Sequence, residues 1–238
     1  MPNPYFQFKQ FTVYHNRCAM KVTTDSCLFG AWCAKTLEGQ QQESVVLDIG
    51  TGSGLLALMV AQKNKMHIDA IELDEEAAQQ AEENVLRSSF KNIRVMPGDI
   101  LQLPAKKQYD VILSNPPFYE DELQSAVATK NLAHHSSQLR FADLSKKINE
   151  LLTSEGSFYL LLPYKRKMEI EKIFNQHQLF IKKEVMVRQT EKHHPFRWMI
   201  EGSKQPVDRE PPAEIIIKEE GAYSLAFSSL LQDYYLYL

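Results

Sequence analysis

Two short stretches of the chain carry residue types whose spacing could do chemistry. The first, Leu47-Asp48-Ile49-Gly50-Thr51-Gly52-Ser53-Gly54, ends an apolar run in a glycine-rich turn and opens onto a segment of helical periodicity. Such a turn lets backbone amides and the positive end of a helix meet the polar end of a ligand. Asp48 supplies an acceptor for an ammonium group. Glu72, 22 positions after Gly50, closes the next apolar run, where a carboxylate can take both hydroxyls of a ribose. Asp99 ends the run after that and is placed to accept from the amino group of an adenine ring, which Ile100 would cover. Each acid alone reads as a solvated surface residue. At successive strand ends beside a glycine turn, the three read as a nucleoside-cofactor site. The second stretch, Ser114-Asn115-Pro116-Pro117-Phe118-Tyr119, follows the apolar run Tyr109 to Leu113. Its two prolines lack N–H donors and hold the residues before them extended. What remains is a stiff loop that offers acceptors and a flat ring.

The elements that must position these residues are legible as alternating periods. Ser44 to Ile49, Ile68 to Leu73, Ile93 to Met96 and Tyr109 to Ser114 are apolar runs of strand length, and Leu55 to Lys63 and Glu75 to Arg87 are helical between them. This βαβαββ order is that of a parallel sheet flanked by helices. Downstream, 139–152 and 168–178 read as helices, and 157–162, 181–189 and 214–218 as strands. The aromatic end, 234–238, reads as a buried terminal strand, and 202–212, with three prolines, as a loop. We expect one domain over 1–238, with residues 1–43 as an N-terminal extension.

Composition narrows the function classes. With 44% hydrophobic and 24% charged residues and a net charge of −3, the 238-residue chain has a globular composition and is not a uniformly basic nucleic-acid binder. No run approaches the roughly 20 apolar residues of a membrane helix, and the N-terminus lacks the charged start and apolar centre of a signal peptide, so a cytoplasmic location is expected. Cys18, Cys27 and Cys33 are odd in number and unlike a zinc site in spacing. They read as reduced structural thiols. The pairs His134-His135 and His193-His194 lack partner ligands, so no metal is expected. Charge is uneven: residues 69–83 carry seven acids and no base, whereas 165–204 carry ten Lys and Arg against five Glu. The second segment is a candidate phosphate-binding face, with Lys182, Lys183 and Lys192 as its test residues, against the plainer reading of a solvated surface.

The glycines at 50, 52 and 54, with Leu55 where a dinucleotide fingerprint would need its third glycine, favour the G-x-G-x-G turn of S-adenosylmethionine enzymes. With Glu72, Asp99 and Asn115-Pro116-Pro117-Phe118, the sequence resembles the class I S-adenosylmethionine-dependent methyltransferases that carry an (Asp/Asn/Ser)-Pro-Pro-(Tyr/Phe) motif. Residues 6–32, Asn115 to Tyr119 and the closing Phe227 to Leu238 resemble more narrowly the bacterial tRNA adenine-N6 methyltransferases that act beside the anticodon of a valine tRNA. The resemblance implies a Rossmann-like, doubly wound, mostly parallel seven-stranded sheet with helices on both faces and an antiparallel strand near the C-terminus. It further implies S-adenosylmethionine as cofactor, a tRNA substrate and a monomer. The extension would close over the cofactor with Lys21 and Thr24 near its methionine part, joining Asp48, Gly50, Gly52, Gly54, Glu72, Asp99, Ile100 and Asn115. The catalytic residues would be Asn115, Pro116 and Phe118. Other NH2 substrates share the motif: an rRNA or DNA base, or a protein glutamine amide. Only about 45 residues precede the glycine turn, short for the helical substrate domain a glutamine enzyme carries. The C-terminal half is likewise short for a DNA target-recognition domain. A non-catalytic binding protein is the remaining alternative, against which the intact motif argues.

Overall fold

A computed structural model describes residues 3–117 and 140–238. A short antiparallel hairpin, β1 (Tyr5–Gln7) and β2 (Thr12–Tyr14), comes first and is followed by helix α1 (Thr24–Thr36). Thr23 and Ser26 start α1 with reciprocal side-chain caps on each other's backbone amides. The alternation read from the sequence then appears as β3 (Val45–Ile49), α2 (Leu55–Lys63), β4 (His67–Glu72), α3 (Glu75–Arg87), β5 (Ile93–Pro97) and β6 (Tyr109–Ser114). Beyond residue 139 come α4 (Phe141–Leu151), β7 (Leu152–Pro163), α5 (Lys167–Gln176), β8 (Phe180–Thr190) and β9 (Arg197–Ser203). The described chain ends with β10 (Ala213–Glu219), β11 (Ala222–Tyr223) and α6 (Leu225–Leu231).

The sheet order is β11-β10-β8-β9-β7-β6-β3-β4-β5, with β9 and β11 running against the rest. The seven strands from β5 to β8 make the expected doubly wound sheet with its antiparallel strand. The sheet is wider than expected, because β10 and β11 extend the β8 edge to nine strands. Helices cover both faces. Residues of α1, α2, α3 and α6 share one apolar cluster, and α4 and α5 pack into the other with Leu144, Ile148, Ile170 and Phe174. From β3 the chain moves outward through β4 to β5 and then returns to β6 on the other side of β3, so the strand order reverses at β3 and opens a crevice at the carboxyl ends of these strands.

The terminal strand expected over 234–238 does not form. Ser224 caps α6 by accepting from the Phe227 amide, and after α6 only one bridge, Phe8 to Tyr235, pairs the tail with the N-terminal hairpin. Tyr234 and Tyr235 are buried by packing, while Tyr237 is 88% exposed. Gly202 and Ser203, expected in a loop, complete β9.

Candidate cofactor and amine-binding site

Register brings the predicted residues together. Ile49 pairs with Ile71 on one side and Ser114 on the other, and Glu72 pairs with Pro97. Gly50, Glu72 and Asn115 therefore each stand one residue beyond the same level of the sheet, with Asp99 two residues past Pro97. The turn is tied down by the sheet itself: the Gly50 and Thr51 amides both donate to the Ile71 carbonyl, at 2.9 and 3.1 Å.

Gly50 (φ +68°) and Gly52 (φ +55°) occupy the left-handed region, and a Cβ built at either would meet nothing within 4 Å. The turn thus needs glycine for its backbone and faces open space where a ligand can approach its amides. Glu72 braces it: Oε2 accepts from the Gly52 amide at 2.7 Å and Oε1 from the Asp74 amide at 3.0 Å. The carboxylate is held in place by bonds that use one lone pair of each oxygen, leaving others for hydroxyl donors. Asp99 accepts from the Leu101 amide at 2.9 Å, capping a single 3₁₀ turn at Ile100–Gln102. Ile100 is buried with Ile49 and Ile71, so it forms the floor beneath the strand ends.

Asp48 is fully buried. Oδ2 accepts from the Thr51 hydroxyl at 2.6 Å, and among the described residues Oδ1 has no hydrogen-bond partner. Burial pushes its carboxyl up to about 7; the Thr51 hydrogen bond opposes this and the nearby charge of Glu72 adds to it. A buried carboxylate oxygen without a donor is costly, and an ammonium or hydroxyl arriving at the glycine turn would satisfy it. The donor set thus fits a nucleoside cofactor with an ammonium end.

The segment between β2 and α1 runs along α3 beside this site. His15 closes it on itself, its Nε2 lying 3.0 Å from the Asn3 carbonyl while Nδ1 accepts from the Val22 amide at 3.5 Å. Arg17 pairs with Glu83 at 2.6 Å. Cys18 lies near enough to Glu72 and Asp74 for their charges to add to the effect of burial, which raises its thiol to about 11. All three cysteines are free. Lys21 is exposed, and Thr24 is half-buried at the first position of α1.

Sequence reasoning missed Asn84. Its side chain is fully buried, accepts from the Tyr14 amide at 3.0 Å and donates to the carbonyls of Tyr14 at 2.8 Å and Ser53 at 2.9 Å. One amide thus joins the N-terminal hairpin, α3 and the glycine turn. The signal was present: Asn84 falls seven residues after Ala77 on the buried face of α3, where a polar side chain needs partners.

On the other side of β3, the Ser114 hydroxyl donates to the Ile49 carbonyl at 2.8 Å and locks β6 to β3 just below the proline loop. Asn115 is half-buried, Pro116 buried and Pro117 exposed. Among the described residues the Asn115 side chain has no hydrogen-bond partner. Phe118, assigned to catalysis from sequence, lies outside the described residues, as does His134-His135. No group of His, Cys, Asp and Glu suited to a metal ion occurs among the described residues, and no helix there is long and apolar enough to cross a membrane.

Much of the basic segment is paired within the fold. Lys182 pairs with Glu201 at 2.8 Å, Lys183 with Glu210 at 3.4 Å, Arg188 with Glu214 at 2.7 Å and Lys167 with Glu184 at 2.6 Å. Glu184, Glu201 and Glu214 on strands β8, β9 and β10 and Glu210 in the loop before β10 supply the carboxylates, so much of the local positive charge is neutralised within the fold. Lys182 and Lys183 also lie below the level of Ser114, on the side of the sheet away from the proline loop.

The methyltransferase small domain family matches residues 31–190. A protein of Parabacteroides distasonis named tRNA1(Val) (adenine(37)-N6)-methyltransferase is 39% identical, with 99% of each chain covered. A Bacteroides thetaiotaomicron protein of the same name is 37% identical over the full length of both. Among solved structures, a SAM-dependent methyltransferase from Aquifex aeolicus shares the fold at TM-score 0.56 and 16% identity, over 76% of this chain and 93% of its own. The chain belongs to the methyltransferase small domain family, alongside the tRNA1(Val) (adenine(37)-N6)-methyltransferases that match it end to end.

Proposed function

We propose that the protein transfers a methyl group from S-adenosylmethionine to the exocyclic N6 amine of adenine 37 in tRNA1(Val). The observation that carries this reading is the convergence of Asp48, Glu72, Asp99 and Asn115 on one crevice, in a chain whose full-length relatives bear that activity in their names. S-adenosylmethionine supplies an electrophilic methyl group on a sulfonium. The chain holds it through its own donors and acceptors: Asp48 takes the ammonium, Glu72 the ribose hydroxyls and Asp99 the adenine amino group, while the glycine turn leaves room for close approach. Residues 1–43 close over this pocket as an extension of a single domain, and Asn84 ties that extension to the turn.

The exocyclic amine of adenine is a weak nucleophile because its lone pair is delocalised into the ring, and its attack on the methyl would break the carbon–sulfur bond, release a neutral thioether and leave positive charge on nitrogen until one N–H proton is lost to solvent. Asn115 Oδ1 and the Pro116 carbonyl accept its two hydrogens and face that charge. The prolines remove competing N–H donors and fix the geometry before the base arrives. Fixed groups facing developing charge are worth about 10² to 10³ in rate, by analogy with single oxyanion donors. Alignment of nitrogen and methyl accounts for the rest. Phe118, by its place in the motif, stacks on the extruded base, a contact worth about 1–3 kcal/mol.

Mass mapping of nucleosides in tRNA1(Val) from cells with and without the gene tests the reading. N6-methyladenosine at position 37 should vanish without it and return with the wild-type chain. Persistence of the modification in the deletion strain contradicts the assignment.

A further inference from the structure

The strands on the far side of the proline loop rise above it. Register carries the level of Ser114 through Leu160 of β7 and Ile200 of β9 to Glu184 of β8. β8 then continues to Thr190, about 20 Å further at ~3.3 Å per residue. β9 starts at Arg197, opposite Pro163 and Val187. The β8–β9 hairpin is thus a wall whose base lies two strand spacings from β6, about 10 Å from the loop.

The hairpin is braced at its base and ordered at its tip. Arg197 pairs with Asp25 at the start of α1 at 2.6 Å, and its guanidinium lies 5.6 Å from the Phe196 ring centroid. The Phe196 amide donates to the Val187 carbonyl at 2.9 Å, and its carbonyl accepts from the Tyr164 amide at 3.2 Å. Above this, Thr190 organises the turn: its hydroxyl accepts from the Lys192 amide at 3.3 Å and lies 2.6 Å from His193 Nδ1. Lys192, His193 and His194 are exposed, and among the described residues none of them meets a carboxylate within ion-pair distance. Lys182, Lys183, Arg188 and Arg197, from the same basic segment, each meet one. Cationic capacity that the fold neutralises elsewhere is left available on an ordered turn above the amine-binding loop.

We propose that the tip of the β8–β9 hairpin, carrying Lys192, His193 and His194 beyond the level of Asn115 along the strands, is a docking surface for the phosphate backbone of the tRNA that presents its adenine to the proline loop. This rests on the tRNA reading above and adds the surface that reading lacks. A pre-ordered turn loses little freedom on binding, and contacts to phosphate position a nucleic acid without reading its sequence. Glu191, the carboxylate in the tip sequence, opposes the contact.

The test is binding of unmodified tRNA1(Val) transcript across a salt series, with single-turnover methyl transfer and S-adenosylmethionine calorimetry in parallel. Replacing Lys192, His193 and His194 by Ala should weaken tRNA binding about tenfold or more and reduce the salt slope by about one or more, with cofactor affinity unchanged. Glu191→Gln should tighten tRNA binding two- to threefold at low salt, a gain that misfolding cannot produce. Replacing Lys182 and Lys183 by Ala should leave the slope intact. If the wild-type chain transfers methyl to tRNA while the triple variant and Glu191→Gln bind it with parental affinity and slope, the hairpin surface is overturned and the activity stands. If the wild-type chain transfers no methyl to tRNA, the activity falls and the surface with it.

Discussion

Two buried aspartates sit on adjacent strands of the same sheet, and the fold treats them oppositely. Asp69, on β4, is 1% exposed and fully engaged. Lys107 and Tyr109 donate to Oδ2, and His67 Nε2 lies 3.1 Å from Oδ1. Burial alone would raise its carboxyl, but these hydrogen bonds outweigh burial and hold it below the ordinary carboxylate range. Asp48, on β3, accepts from the Thr51 hydroxyl while Oδ1 has no hydrogen-bond partner among the described residues, and burial raises its carboxyl to about 7. Both are acids within an apolar run, and only Asp48, beside the glycine turn, carries a site assignment from the sequence. The difference teaches where the molecule is complete without a ligand and where it is not. Asp69 is satisfied within the fold, whereas among the described residues Asp48 Oδ1 and the Asn115 side chain have no hydrogen-bond partner, as the proposed cofactor and amine roles require.

The comparison breaks if edge residues turn out to be structural or if interior ones turn out to be functional. The largest effect is expected at Asn115. Replacing it with Ala removes an acceptor that matters most as charge develops, so single-turnover methyl transfer should fall about 100-fold or more while cofactor affinity and melting temperature hold. Asp69→Ala should do the reverse. It strands the Tyr109 hydroxyl in the interior and frees Lys107, lowering stability by about 2–3 kcal/mol in denaturant titration, with cofactor affinity unchanged in the folded protein.

Asp48→Asn sharpens the contrast. Removing the charge should weaken S-adenosylmethionine about tenfold by calorimetry without destabilising the protein. Its pH dependence has a defined sign. Between the ordinary value of 3.8 and about 7, the native protein keeps a proton that the unfolded chain has lost. This group therefore lowers the stability of the cofactor-free protein as pH rises through that window. Because an ammonium favours the ionised form, cofactor binding should release a proton below about pH 7 and tighten as pH rises toward it. Asp69, with its depressed carboxyl, contributes stability that is present above its unfolded value and lost as pH falls through its folded one. The smallest effect is expected at Asn84, whose side chain bonds the backbone of Tyr14 and Ser53. Asn84→Ala should raise the cofactor Kd and KM several-fold with little change in turnover, because the hairpin-to-turn link loosens while the proline loop stays intact.

What the sequence revealed and what it hid follow from how local each signal is. The strands and helices from β3 to β6 announce themselves by period, and the acids at strand ends by position, since the helical crossovers α2 and α3 make β3, β4 and β5 parallel and bring their carboxyl ends to one edge of the sheet. The proline loop is legible because prolines restrict the backbone without help from the rest of the fold. By contrast, β1 and β2 are three residues each, too short to show alternation, and their stability comes from Phe6, Phe8 and Tyr235, far apart in sequence. Tyr234 and Tyr235 looked like strand residues because aromatics suit a pleated surface. Instead Tyr234 donates its hydroxyl to the Met59 carbonyl at 2.9 Å from the end of a helix. The charge of 165–204 was real, but Glu201, Glu210 and Glu214, which neutralise much of it, meet it only through strand pairing or a tertiary contact. Asn84 was hidden for the same reason: its three partners lie 31 and 70 residues away.

The most direct test incubates the purified chain with labelled S-adenosylmethionine and unmodified tRNA1(Val) transcript, beside a transcript carrying guanine at position 37. The account predicts label in N6-methyladenosine at position 37 of the first transcript and none in the second. Equal labelling of both transcripts, or none of either by a protein that binds the cofactor, would contradict it.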